Sequence, residues 1–333
     1  MKLTARPALF FLLLVFVAPA GAQQPPPPPE EVPGITIQVD LVNIVVSVTD
    51  RRSRQVGDLS PSDFLVYEDG VLQKIKYFTS ETNLPLRIGL LIDTSNSVRP
   101  RFQFEQEAAI DFLFTALRPK TDRAFLMSFD SSVVLVQDFS DDPQTLADGI
   151  RNLRAGGGTA LYDAVYLGSQ KLSEGSANRL RKMLIVLSDG DDAGSIVSRE
   201  EALAMARRHE VTVFTVSTGA VPIQYSGKSE ELRNPCAVRG SAGDKTLDYF
   251  SESTGGTSYC PFSTLDVGRS FERIAEELRT QYTLAYTPTN RIRDGSFRRI
   301  VVETRRKGLE VHHRPGYFAD PVPGPAGAAP PGQ

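Results

Sequence analysis

The sequence predicts an α/β fold, a doubly wound and mostly parallel sheet of the Rossmann-like kind, with flanking β segments that form a β-sandwich. Three observations carry this. Residues 88–92 and 183–187 are unbroken runs of apolar residues or glycine, the pattern of strands covered on both faces. Strand and helix patterns alternate around them, which implies a parallel sheet with helices on both sides. Period-2 alternation returns at the two flanks, each with too few strands to stand alone, so pairing them is the economical solution.

Taken in order, residues 1–22 read as a leader. Lys2 and Arg6 precede an apolar run at 8–17, and Ala20-Gly21-Ala22 supplies a small-residue cleavage site. The run is too short for a comfortable membrane span, and no later stretch is apolar enough to be one. The mature chain is therefore expected to be exported, to a periplasm or outside the cell, with no transmembrane segment after cleavage. Residues 23–33 form a proline-rich linker. Residues 34–82 are the N-terminal β segment. Ile35, Ile37, Val39 and Leu41 alternate, and Val42, Ile44, Val46 and Val48 continue on the opposite phase, which predicts a bulge or bend. Asp69-Gly70 is a hairpin signal between strands at 64–68 and 71–78.

Residues 83–281 carry the alternating pattern. Helices are expected at 102–117, 143–153, 160–172, 199–208, 244–253 and 265–279, the last with Ser263 as N-cap. Strands are expected at 88–92, 124–129, 133–139, 183–187, 211–216 and 257–260. The Asp130-Ser131-Ser132 turn is so short that the strand at 133–139 must be antiparallel and at an edge. Residues 282–318 return to β and pair with 34–82, placing the α/β domain as an insertion between two halves of a sandwich. Residues 319–333 are rich in Pro, Gly and Ala and are expected to be disordered.

The chain has 333 residues, a formal charge of −3 and two cysteines. No basic block resembles a nucleic-acid footprint, which excludes DNA or RNA as a partner. In an oxidising compartment Cys236 and Cys260 are expected to form a disulfide, stapling the polar insertion at 221–243 beside the sheet edge.

The chemistry concentrates where the apolar strands end. Asp93, Ser95 and Ser97 follow one strand, Asp189 and Gly190 follow another, and Thr159 follows Gly156-Gly157-Gly158 and opens a helix. In a parallel sheet these places share one edge, where ligands of open α/β sheets bind. Two carboxylates and three hydroxyls make an oxygen-only set suited to a hard divalent cation. Mg²⁺ fits it best, with Mn²⁺ or Ca²⁺ possible. An acidic side chain of a partner would complete the coordination shell.

This Asp-x-Ser-x-Ser motif, with Thr159 after a glycine-rich loop and Asp189-Gly190 after an apolar strand, resembles the metal-ion-dependent adhesion site of von Willebrand factor type A domains. The likeness spans residues 86–281. The flanks, YEDG at 67–70 and YTLAYTP at 282–288, resemble those of bacterial exported proteins related to that family. The resemblance implies that Ser95, Ser97 and Thr159 touch the ion and that Asp93 and Asp189 act partly through water. It also implies an adhesion module that captures Asp or Glu of a protein ligand. Asn96, Gly157, Gly158 and Asp191 are the candidate partner contacts, and the last helix can shift on ligation in such domains.

Enzymatic alternatives fare worse. There is no Walker motif and no Gly-x-Ser-x-Gly elbow, and His209, His312 and His313 have no zinc-site spacing. A Mg²⁺-dependent hydrolase would need a general acid or base beside the metal, and the sequence shows only the carboxylates already counted as ligands. A structural envelope protein with an incidental metal is the other alternative. The partner's identity and the oligomeric state are not encoded in any motif.

Overall fold

A computed structural model describes residues 41–80, 84–174, 180–219, 241–261 and 264–319. The leader, the proline-rich segment, Ile35, Ile37 and Val39 of the first expected strand, Cys236, Ser263 and nearly all of the 221–243 insertion lie outside the described residues, as does the tail from 320 onward.

The chain runs β1 (Val42–Asp50), β2 (Phe64–Glu68), β3 (Val71–Gln73), β4 (Ile75–Thr79) and β5 (Leu86–Asp93), then α1 (Phe102–Ala116). It continues through β6 (Arg123–Phe129), β7 (Val133–Ser140), α2 (Pro143–Asn152), α3 (Leu161–Ser173), β8 (Arg181–Ser188), α4 (Arg199–Arg208) and β9 (Val211–Ser217). After α5 (Ala242–Thr254), β10 (Ser258–Tyr259) and α6 (Thr264–Thr280) come β11 (Tyr282–Tyr286), β12 (Phe297–Thr304), β13 (Leu309–His313) and β14 (Gly316–Phe318).

The central sheet has the order β10-β9-β8-β5-β6-β7, with parallel pairing throughout except for β7, which pairs antiparallel to β6 at the edge. Strand order reverses between β5 and β8, so a crevice opens at their carboxyl ends. Side chains alternate between two cores. Leu86, Ile88, Leu90 and Ile92 face Phe102, Ala109, Phe112 and Leu113 of α1 and Phe271, Ile274 and Leu278 of α6. Leu91, Phe125, Leu184 and Val186 face Leu161, Ala164 and Val165 of α3, with α4 and α5 on the same side. Gly89 sits where Phe125 and Leu184 cross; a Cβ there would lie 2.4 Å from the Phe125 ring.

The flanks build two antiparallel sheets, β13-β1-β11-β4 and β14-β12-β2-β3, around one core of Ile44, Val46, Val48, Phe64, Val66, Leu284, Tyr286, Ile300 and Val302. Each sheet mixes strands from both ends of the chain, because β1 pairs with β11 and β2 with β12. Asp69 and Gly70 both take positive φ, +48° and +82°, as a two-residue hairpin turn with the twist of its strands requires. The single strand expected over 71–78 breaks at Lys74. Gln73 turns inward to bond Thr289, which keeps β3 beside β2, while Ile75 and Phe78 pack into the shared core and carry β4 to the other sheet. Such corners, where a chain switches sheets, close a sandwich.

The α/β domain and the sandwich share a polar junction. Glu277 of α6, 1% exposed, accepts from Ser47 of β1 at 2.8 Å, from Thr257 at 3.1 Å and from Tyr259 at 3.1 Å. Arg181, at the start of β8, donates to the carbonyls of Leu278 and Gln281, satisfying the C-terminal turn of α6 just before β11 begins. Among the described residues no helix is long and apolar enough to cross a membrane.

Candidate functional site

Asp93 closes β5 and is fully buried. One carboxylate oxygen accepts the Ser95 amide at 2.8 Å, which bends the chain out of the strand, and the other accepts the Ser188 hydroxyl at 2.6 Å from the neighbouring end of β8. Burial pushes its pKa up to about 6 against the pull of these hydrogen bonds, and the charge on Asp189 pushes the same way. The loop is held down by Thr94, whose amide and hydroxyl both donate to the Phe129 carbonyl at the end of β6. The Ser95 and Ser97 hydroxyl oxygens then lie 3.0 Å apart, with Ser95 buried and Ser97 exposed.

The glycine-rich loop is tied to this turn. The Gly157 carbonyl accepts from the Asn96 amide at 3.3 Å and from its side chain at 3.1 Å, and the Gly156 amide donates to the Thr94 carbonyl at 2.6 Å. Gly157 has φ +96° and passes so close to Asp130 that a Cβ would stand 3.1 Å from its carboxyl group. The Gly158 amide donates to Ser131 at 2.8 Å. The loop delivers Thr159, 7% exposed, to the start of α3, where its carbonyl accepts from the amides of Ala193 and Gly194 in the third loop of the site.

That third loop begins at Asp189, half-buried at the end of β8, whose carboxylate accepts the Asp191 amide at 3.2 Å. Gly190 has φ +84°, and a Cβ there would meet the Gly243 carbonyl oxygen at 2.1 Å. Asp192 accepts from the Tyr162 amide and the Ser195 hydroxyl, so it builds the loop and the start of α3. Asp191 is exposed on the rim with Asn96, Gly157 and Gly158. Its pKa is raised by partial burial and by the nearby charges of Asp189 and Asp244. The Asp-x-Ser-x-Ser turn, the glycine loop and the Asp189 loop thus meet at one edge of the sheet.

Cys260 is 3% exposed near Asp244, and its expected partner Cys236 lies outside the described residues.

Two further carboxylates belong to this region. Glu105 of α1 is 2% exposed, and among the described residues neither of its oxygens makes a well-formed hydrogen bond, although the Thr218 hydroxyl is near enough to lower its pKa. Burial pushes its pKa up to about 8; Arg101 pulls it down, and Asp93 and Asp189 push it up. Asp244, 1% exposed at the start of α5, accepts from Ser217 at 2.6 Å. The expectation that the only acids here are the metal-ligand candidates is therefore corrected. A signal existed for Glu105: it lies on the stripe of Phe102, Ala109, Phe112 and Ala116, a charge on the inward face of a helix. Ser188, which adjoins Asp189 in sequence, supports Asp93 through its hydroxyl, a role no local signal marks. Among the described residues no three carboxylates, imidazoles or thiols gather as a metal cluster. Two carboxylates with three hydroxyls form no such cluster.

The most informative comparison is with a family model: residues 88–191 match the von Willebrand factor type A domain. No curated protein matches the chain in sequence. Among solved structures, the PilB minor pilin from Streptococcus sanguinis is 15% identical with a TM-score of 0.44, over 60% of this chain and 62% of that one. Proximal thread matrix protein 1 from the mussel byssus, a structure described with a zinc-occupied MIDAS motif, is 14% identical with a TM-score of 0.47, over 63% of this chain and 49% of that one. BatB from Bacteroides thetaiotaomicron is 15% identical with a TM-score of 0.43, over 58% of this chain and 98% of that one. The chain thus spans 62% and 49% of the first two proteins. Asp93, Ser95, Ser97, Thr159 and Asp189 all lie inside residues 88–191, the segment of the chain that matches the von Willebrand factor type A domain.

Proposed function

We propose that this edge binds one divalent cation, Mg²⁺ in the first instance, and through it captures an Asp or Glu side chain of a protein partner. The observation that carries the reading is the Ser95–Ser97 pair. Adjacent oxygens around an octahedral ion at about 2.1 Å stand about 3.0 Å apart, and these hydroxyl oxygens are 3.0 Å apart. Ser95, Ser97 and Thr159 would hold the ion, with Asp93 and Asp189 balancing its charge. The ion would supply a Lewis-acidic site with room for a partner's carboxylate.

The chain's own residues prepare that site. Asp93 orients Ser95 through its amide, Asn96 fixes the glycine loop, and the amides of Ala193 and Gly194 fix the Thr159 backbone. The exposed rim of Asn96, Gly157, Gly158 and Asp191 is where a partner would rest. Catalysis is not part of this reading. Glu105 is sealed from solvent and Asp244 is engaged by Ser217, so neither is placed to move a proton to or from a substrate. The leader-like residues 1–22 support export, and the site faces its partner in that compartment.

Thermal unfolding with Mg²⁺, Mn²⁺ or Ca²⁺ against EDTA tests the metal. At about 100 times its dissociation constant an ion adds about 2.7 kcal/mol, on the order of 5–10 °C for a chain of this size. The exposed Ser97→Ala leaves the fold intact and should remove most of the shift; Asp93→Ala should remove it all. Equal shifts in wild type and both variants would defeat the assignment.

A further inference from the structure

The sandwich carries a basic pole that two distant stretches of sequence build together. β1 pairs antiparallel with β13, Asp50 opposite Leu309, so the turn after β1 and the turn before β13 lie side by side. The first turn holds Arg51, Arg52 and Arg54, and the second holds Arg305, Arg306 and Lys307, all exposed. A Cβ at Gly308 would stand 3.1 Å from the Arg51 guanidinium, which shows how closely the turns approach.

The acids nearby are already engaged. Asp50 bonds Arg54 at 2.7 Å, and Asp58 and Asp63 hold Arg306 at 3.0 and 3.3 Å. Among the described residues no carboxylate pairs with Arg51, Arg52, Arg305 or Lys307, although Glu303 and Glu310 stand on the adjoining strands. The turns themselves are firmly built. Asp50 accepts the amides of Arg52 and Arg54, Ser53 takes φ +57°, and the Arg305 amide donates to the Asp63 carbonyl. Four unpaired cations on two rigid, adjacent turn tips, on a chain of net negative charge, form a local field unlike the rest of the molecule.

We propose that this pole docks the protein onto an anionic lipid surface. The two turn tips, at 51–54 and 305–307, set their charges side by side, with no aromatic residue among the six basic ones to stack a base. That geometry suits contact with a flat layer of phosphate headgroups rather than a nucleic acid. Its position also suits that use. Gln55, just past the first turn, touches Thr280 at the C-terminal end of α6, and that helix end is capped by Arg181 at the amino end of β8. Asp93 and Asp189 lie at the opposite, carboxyl ends of β5 and β8, roughly 25 Å away along the strands. A membrane held at the basic pole therefore leaves the metal edge facing outward.

The test is co-sedimentation of the full chain with vesicles of phosphatidylglycerol mixed with phosphatidylcholine, against phosphatidylcholine alone, at low and high salt. The leader, with Lys2 and Arg6 ahead of the apolar run at 8–17, would bind as well, so the readout is the change in the ratio between wild type and variants that share it. Each basic side chain near an anionic bilayer strengthens binding about fivefold. Changing Arg51, Arg52, Arg305 and Lys307 together to Gln should lower the ratio on the order of several hundredfold, and high salt should lower it in wild type. Lys74→Gln with Lys76→Gln, elsewhere on the sandwich, should leave it unchanged. Added EDTA should have no effect, which separates this surface from the metal site. A ratio near one for wild type, a quadruple variant that binds like wild type, or tighter binding to a duplex DNA probe than to vesicles would each overturn the proposal.

Discussion

Gly190→Ala tests whether the metal edge depends on two backbones touching. Gly190 holds φ +84°, and a Cβ built there meets the carbonyl oxygen of Gly243 at 2.1 Å and its carbonyl carbon at 2.4 Å. The reverse contact is as close, because a Cβ on Gly243 would stand 2.0 Å from the Asp189 carbonyl oxygen. A left-handed alanine costs about 1–2 kcal/mol, and forcing the backbones apart costs about 1–3 kcal/mol more. The expected loss is about 3–4 kcal/mol in urea unfolding. Gly70→Ala is the matched control: its φ is +82° and nothing lies within 4 Å of the added Cβ, so only the first cost applies. Because the displaced segment carries Asp189, the Mg²⁺-dependent rise in Tm should vanish in Gly190→Ala and persist in Gly70→Ala. Equal destabilisation of the two variants, or a full Mg²⁺ shift in Gly190→Ala, would refute the argument.

Two further outcomes follow from buried carboxylates. Without metal, burial raises Asp93 to about 6 and Glu105 to about 8, above their ordinary 3.8 and 4.5. The folded state therefore holds these protons more tightly than the unfolded chain. The contribution of these two groups to stability in EDTA should be greatest below about pH 4 and fall as pH rises through about 6 and then about 8. Glu105→Gln should remove the upper part of that fall, a few kcal/mol at about 1.4 kcal/mol per pKa unit; urea unfolding at pH 6 and 8.5 reads it, and an unchanged slope counts against it. At the junction, Glu277→Ala leaves the Ser47, Thr257 and Tyr259 hydroxyls without their acceptor and should cost about 3 kcal/mol or more. Glu277→Gln keeps one acceptor oxygen and should cost less than half as much; equal losses would show that the hydrogen bonds contribute little.

The parts of this molecule legible in its sequence are those whose cause is local. The apolar runs at 88–92 and 183–187 became β5 and β8 because a strand buried on both faces needs no partner to be recognised. The helix pattern expected at 199–208 became α4, which the structure shows starting on a capping box of Ser198 and Glu201. The candidate site was legible for the same reason, since each of its pieces follows directly on a strand or a glycine run. What escaped depends on contacts between distant residues. Nothing near Lys74 announces the change of sheet, which is decided by Gln73 reaching Thr289 and by the core that Phe78 enters. The basic pole appears only when β1 and β13 pair, because RRSR at 51–54 and RRK at 305–307 are ordinary turns when read alone.

Glu105 falls between these cases, and it bears on why the edge is built as it is. Asp93, Glu105 and Asp244 are all at most 2% exposed, and they neighbour Asp189. Arg101 acts on Glu105, but its guanidinium also donates to the Gly219 carbonyl, so it offers incomplete neutralisation. Burying Asp93 and Glu105 costs stability through the raised pKa of each and the unmet hydrogen bonds of Glu105. A fold stable in spite of that cost can recover it from a divalent cation, whose field favours every ionised carboxylate at once. If this edge holds a cation as proposed, a site unfavourable when empty and favourable when filled would make its occupancy respond steeply to metal and to pH. That is the behaviour the EDTA, Mg²⁺ and Glu105→Gln measurements would resolve together.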